Sequence, residues 1–121
     1  MNTSILSTIK SMLGYEDDSV RYDTDIINNI NLAFMILYQI GVGSGTPYSI
    51  TSSENLWSEF FEDNKRLESV KMYIYLKTKL GFDPPTSAFV LDAMERQLTQ
   101  LDFYLHIDND KELVVEVPDG L

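Results

Sequence analysis

Cysteine is missing altogether from this chain of 121 residues, and histidine and tryptophan each occur once. Without a thiol there is no disulfide framework, no thiolate nucleophile and no cysteine-based metal site. The lone histidine, His106, cannot build an ordinary zinc site, and as a general base it would have only Asp102, four residues earlier, to orient it. Basic side chains are scarce: nine Lys and Arg against nineteen Asp and Glu give a formal net charge of −10. Gripping a phosphate backbone requires a concentrated basic face. Lys65, Arg66, Lys71, Lys77 and Lys79 are instead interleaved with Glu62, Asp63 and Glu68, which argues against tight nucleic-acid binding. Long apolar runs are absent too. The longest, Leu32 to Tyr38, falls far short of the roughly 18–20 residues of a membrane span. The stretch MNTSILSTIKSMLGYEDDS lacks the basic start and unbroken apolar run of a signal peptide. The expectation is a soluble protein with no membrane contact.

What the chain does have is helical periodicity. Its length suits one domain with a single core, and 44% hydrophobic with 23% charged residues is the usual globular balance. Ile5, Leu6, Ile9, Met12 and Leu13 keep the spacing of an amphipathic helix that Gly14 closes. After an acidic connector from Tyr15 to Arg21, Asp23 or Thr24 can cap a second helix reaching about Ile40. Ile26, Ile30, Ala33, Leu37 and Ile40 form its stripe, and Leu32, Phe34, Met35 and Ile36 widen it almost all the way round. Such a helix must be covered on every side, and a neighbouring subunit is one possible cover. Gly41 to Tyr48 reads as loop.

Further on, Thr51-Ser52-Ser53-Glu54 fits a capping box before a short helix with Leu56, Trp57, Phe60 and Phe61. A long helix follows Asp63-Asn64, broadly apolar again from Val70 to Leu76. In Leu80-Gly81-Phe82-Asp83-Pro84-Pro85-Thr86-Ser87, Gly81 can end that helix, the prolines fix a corner, and Asp83 or Thr86 can cap the next. The last helix carries a seam of Leu91, Met94, Leu98, Leu101 and Leu105. From about Asn109 the period stops, and Leu113 to Val117 is β-prone but has no partner strand. The expected fold is all-α: a small bundle of four to five helices over residues 1–108. A tail over 109–121 follows, disordered or ordered by a partner, with a strand among its options.

Chemistry is hard to assemble from these residues. Gly41-Val42-Gly43-Ser44-Gly45 has the glycines of a phosphate loop but follows a helix, and reads as a helix cap and hinge. Asp108-Asn109-Asp110-Lys111-Glu112 alternates oxygen ligands, yet Leu113 stands where a calcium loop needs its turning glycine. Glu16-Asp17-Asp18 and Asp23-Thr24-Asp25 read as a solvated face and a helix cap. Tyr73, Tyr75 and Tyr104 occupy core-like helical positions. No catalytic, cofactor-binding or metal-ligating residue is assigned, and the residues point to a structural or interaction protein, not an enzyme.

Two blocks carry a resemblance. Tyr22-Asp23-Thr24-Asp25-Ile26-Ile27-Asn28-Asn29-Ile30-Asn31-Leu32-Ala33, followed by Gln39-Ile40-Gly41-Val42-Gly43, is similar to the head–tail connector (adaptor) proteins of long-tailed phages. So is Val70-Lys71-Met72-Tyr73-Ile74-Tyr75-Leu76-Lys77 leading into Phe82-Asp83-Pro84-Pro85-Thr86-Ser87, with Trp57 and Phe60 between the blocks. The likeness spans about residues 3–107. It departs at Asp102-Phe103-Tyr104-Leu105-His106, an aromatic pair where one aromatic and a basic residue are expected, and the tail matches nothing.

The resemblance implies a helical bundle that forms a homo-oligomeric ring, usually of twelve subunits, beneath the capsid portal. The ring would extend the DNA channel and dock a further neck or tail-completion protein. DNA would pass through without specific binding, which suits an acidic chain. Implied with it are a place in the virion neck, assembly in the host cytoplasm, and no cofactor. Candidate subunit or partner contacts are Phe34, Met35, Tyr38, Ser44, Thr46, Tyr48, Trp57, Met72, Tyr75, Leu113, Val115 and Val117. The contact segments suggested by analogy are Gly43 to Ile50 and Asn109 to Leu121. The rival reading is a small acidic interaction protein, an inhibitor or DNA mimic, that binds a host or phage factor.

Overall fold

A computed structural model describes residues 3–43, 46–60 and 64–116, with side-chain surroundings described for 3–43, 46–60 and 66–106. Five helices follow in order: α1 (Ile5–Leu13), α2 (Asp23–Gln39), α3 (Trp57–Phe60), α4 (Asn64–Phe82) and α5 (Ala88–Glu116). Among the described residues the one β feature is an isolated bridge between Ser4 and Leu56, so the fold is all-α as the periodicity predicts.

Local chemistry sets most of the boundaries. Ser4 Oγ caps α1 by accepting the Ser7 amide at 3.1 Å. Gly14, at φ 94°, ends it in the left-handed conformation glycine tolerates. Helix α2 closes in a Schellman motif: the Gly41 amide donates to Tyr38 O at 3.0 Å and the Val42 amide to Leu37 O at 2.9 Å. Its start departs from expectation. Neither Asp23 nor Thr24 caps it; Tyr22 holds the cap position with no side-chain bond, and Asp23 is already helical. The Asp23 carboxylate is drawn away to Lys10 Nζ at 2.9 Å, while Asp23 and Asp25 together face the positive end of the helix dipole.

Other expectations are corrected in the second half. The Thr51–Glu54 stretch forms a turn, not a capping box, because Asn55 Oδ1 accepts the Thr51 amide at 2.8 Å and the Ser52 amide at 3.3 Å. The short helix therefore begins later, at Trp57; Phe61 lies outside the described residues. Gly81 does not end α4, which runs through it to Phe82. A Cβ there would collide with the side chain of Asn29 on α2, so the glycine permits close approach of two helices. The cap of α5 is Ser87, not Asp83 or Thr86: its Oγ accepts the Val90 amide at 3.3 Å and its carbonyl the Leu91 amide at 2.9 Å. Asp83 instead turns back to pair with Lys79 at 3.3 Å.

Helix α5 also continues past Asn109, and its backbone is helical to Glu116. The strand option for Leu113 to Val117 concerns a tail paired with another molecule and is a separate matter from the backbone of the chain alone; Val117 lies outside the description. A helix already nucleated adds one bond per residue, whereas a β-prone segment gains nothing without a partner strand.

The core gathers round α4, which packs against α1, α2 and α5. Ile5 and Ile9 of α1, Ile30, Phe34 and Leu37 of α2, Trp57, and Val70, Tyr73 and Ile74 of α4 are all buried in one cluster, with Leu105 of α5 closing it. Most of the broad apolar surface of α4 is thus covered by this chain's own helices, with Met72 left exposed. Two aromatic groups brace the ends. Tyr15, Tyr22 and Phe82 meet at centroid distances of 5.5–6.2 Å, joining the α1–α2 connector to the end of α4. Phe34, Tyr48 and Phe60 meet at 4.6–5.5 Å, and fix the loop before α3 to α2.

Candidate assembly surface

The expected contact residues separate into two groups. Phe34 and Trp57 are buried inside the chain. The Trp57 indole donates to Thr8 Oγ1 at 3.0 Å, with the Lys71 ammonium 5.5 Å from its ring centre. Tyr48 and Tyr75 are half-buried against the same core. Met35, Tyr38 and Met72 are exposed, as is Thr46. Ser44 and Val117 fall outside the described residues, and the side chains of Leu113 and Val115 are not among those described.

What remains uncovered lies mainly on α2 and α5. On α2, Leu32 and Met35 are each half exposed and Tyr38 is nearby. On α5, Phe89 is 78% and Phe103 67% exposed, with Val90 and Tyr104 also open. Tyr104 is therefore not the core residue its spacing suggests. The seam predicted for α5 is real in direction: Leu105 is buried and Leu91, Met94, Leu98 and Leu101 are half-buried. Between α2, α4 and α5, Leu32, Ala33, Leu80 and Leu98 wall a groove of about 240 Å³ that Asn29 and Lys77 also border. A second hollow, about 350 Å³, opens between α4 and α5 beside Met72, Leu101 and Tyr104.

Polar groups beside the core are held by hydrogen bonds and burial. The Tyr48 hydroxyl donates to Glu59 Oε1 at 3.0 Å. Burial, helped by that bond and by the Glu59 charge, pushes its pKa up to about 12. The same carboxylate is held below its usual range by hydrogen bonds from Asn55 and Tyr48. Burial, and then the nearby Asp102 charge, raise Tyr73 to about 12 as well. His106 is exposed. Among the described residues no three His, Asp or Glu side chains gather as metal ligands, and no described helix is long and apolar enough to cross a membrane.

A family model for phage connector proteins matches residues 5–112, most of the chain, taking in α1 to α4 and α5 as far as residue 112. The chain belongs to the phage head–tail connector family. No curated protein and no solved structure gives a significant match. Connectors have a structural role in the phage particle.

Of the residues expected to make contacts in this connector, Met35, Tyr38 and Met72 are exposed, while the exposed Leu32, Phe89 and Phe103 were not among them. The signal was present in the α5 seam. Phe89 and Phe103 sit on the side of α5 turned away from Leu91, Leu98 and Leu105, where an apolar residue has nothing in its own chain to cover it.

Proposed function

We propose that this connector subunit forms a closed ring of identical copies under the capsid portal, twelve being the number usual for the proteins it resembles. The ring lengthens the DNA channel and docks a further neck or tail-completion protein, and it catalyses nothing. Support comes from family membership together with uncovered apolar residues on two separate helices, Leu32 and Met35 on α2 and Phe89 and Phe103 on α5. Isolated exposed apolar residues need no explanation, but a repeated set on two separate helices suits contacts with neighbouring copies. The net charge of −10 suits passage of DNA without retention. It does not suit a DNA mimic as well, because the acids are spread over the Glu16–Asp18 connector, the start of α2 and the exposed side of α5 instead of one dense face. Electron cryo-microscopy of assembled virions tests the proposal. Density for this chain between portal and tail is expected, and density anywhere else overturns it.

A further inference from the structure

Resting on that ring reading, we propose that neighbouring copies meet head to tail through one defined contact. Phe89 of one copy enters the α2–α4–α5 groove of the next, and Asp92 beside it meets Lys77 there.

The two halves of this contact lie on opposite sides of one helix. At 3.6 residues per turn, Phe89 and Leu98 are separated by about 180° round α5. Leu98 faces inward and helps wall the groove, whereas Phe89, in the first turn, is 78% exposed. Each copy thus carries an aromatic knob on one flank and an apolar recess, framed by Leu32, Ala33 and Leu80, on the other. A knob and recess on different faces cannot satisfy each other across a two-fold axis as one shared patch. They repeat head to tail, the interface class that closes into rings. The groove, at about 240 Å³, has room for a single aromatic side chain and not for a helix.

Charge names the occupant. Among the residues whose side chains are described, Lys77 is the one cation with no ion pair, hydrogen bond or aromatic contact. Lys10, Lys71, Lys79 and Arg96 each have a carboxylate, Arg21 covers Tyr22, and Arg66 is also engaged. Lys77 borders the groove. The exposed carboxylate of Asp92 lies one turn beyond Phe89 on the same outward side of α5, paired only with the equally exposed Arg96 at 2.6 Å. An aromatic ring followed one turn later by a carboxylate is the complement of an apolar recess beside a lone ammonium. This chain supplies both.

Absence of native cysteine makes the test clean. Particles would be assembled with Phe89→Cys and Leu32→Cys, singly and together, oxidised, and run on non-reducing gels. The double variant is expected to give a ladder of crosslinked multimers, and each single variant none. A dimer from Phe89→Cys alone would mean two-fold pairing of α5 and overturns the proposal. So does an absent ladder in particles whose necks contain the chain as a ring, although the ring reading would then survive. If the chain is missing from the neck, both fail together. As a second measure in the double-cysteine background, Lys77→Glu should cut the ladder several-fold, and adding Asp92→Lys should restore it. No restoration would remove the charged half of the contact.

Discussion

Lys10 is the side chain with most at stake in this fold. It is 2% exposed on α1, and its ammonium is satisfied by the Asp23 carboxylate and by the Asp17 carbonyl, each at 2.9 Å. Removing one partner of a buried pair leaves a charge without compensation, which costs more than the intact pair contributes. Asp23 is itself partly open to solvent, so the expected loss lies at the low end. Asp23→Ala should destabilise the protein by about 2–3 kcal/mol. Lys10→Met keeps the volume and removes the charge, and should cost clearly less. Chemical denaturation followed by fluorescence of Trp57, the single and fully buried tryptophan, reads both. Equal losses for the two variants would show that the pair does not behave as a buried charge. Nothing in the sequence revealed this pairing. An acid just before an apolar run has the pattern of a helix cap, and only the packing of α1 on α2 shows that its carboxylate is used elsewhere.

Between elements, the loop ahead of α3 is held by a side chain acting as backbone. Asn31 on α2 accepts the Ile50 amide at 2.8 Å and donates to the Ile50 carbonyl at 3.0 Å, as a paired strand would. Ile50 is buried, so no water can replace those bonds. Asn31→Ala should therefore cost about 2–3 kcal/mol, the penalty for two orphaned buried groups less a small gain in helix propensity. Asn28→Ala, on the exposed side of the same helix, should stay within about 0.5 kcal/mol. Urea midpoints for the two variants decide the matter, and comparable shifts would refute the tie.

This is also the scale at which the sequence was most and least legible. The five helices follow from apolar spacing and from Gly14 and Gly41, whose signals are local. The role of Gly81 is not local, since it depends on Asn29 of another helix lying against it. The same holds for the covering of α4, which α1, α2 and α5 supply except at the exposed Met72. At the candidate surface, Met35, Tyr38 and Met72 were legible as surplus on crowded helices. Phe34 and Trp57 were not separable from them, because burial on a helix apolar all round depends on which neighbour lies on which side.

For the molecule as a whole, a charge of −10 sets the terms on which copies can meet. Each subunit repels the next over distances set by the ionic atmosphere, while apolar contacts such as the Phe89 knob act only at touching range. The proposed Lys77–Asp92 attraction would join a half-buried ammonium to an exposed carboxylate, and one such pair is small beside that repulsion. Self-association should therefore strengthen as salt is added, the reverse of an assembly held by ion pairs. Raising ionic strength from about 0.01 M to about 1 M shortens the screening length from roughly 30 Å to roughly 3 Å. Over that range, sedimentation velocity on the purified chain should show the population shifting toward larger species. If the multimers dissociate instead, attraction between opposite charges must dominate the interface, and apolar contact between α5 and the groove cannot be what holds the proposed ring together.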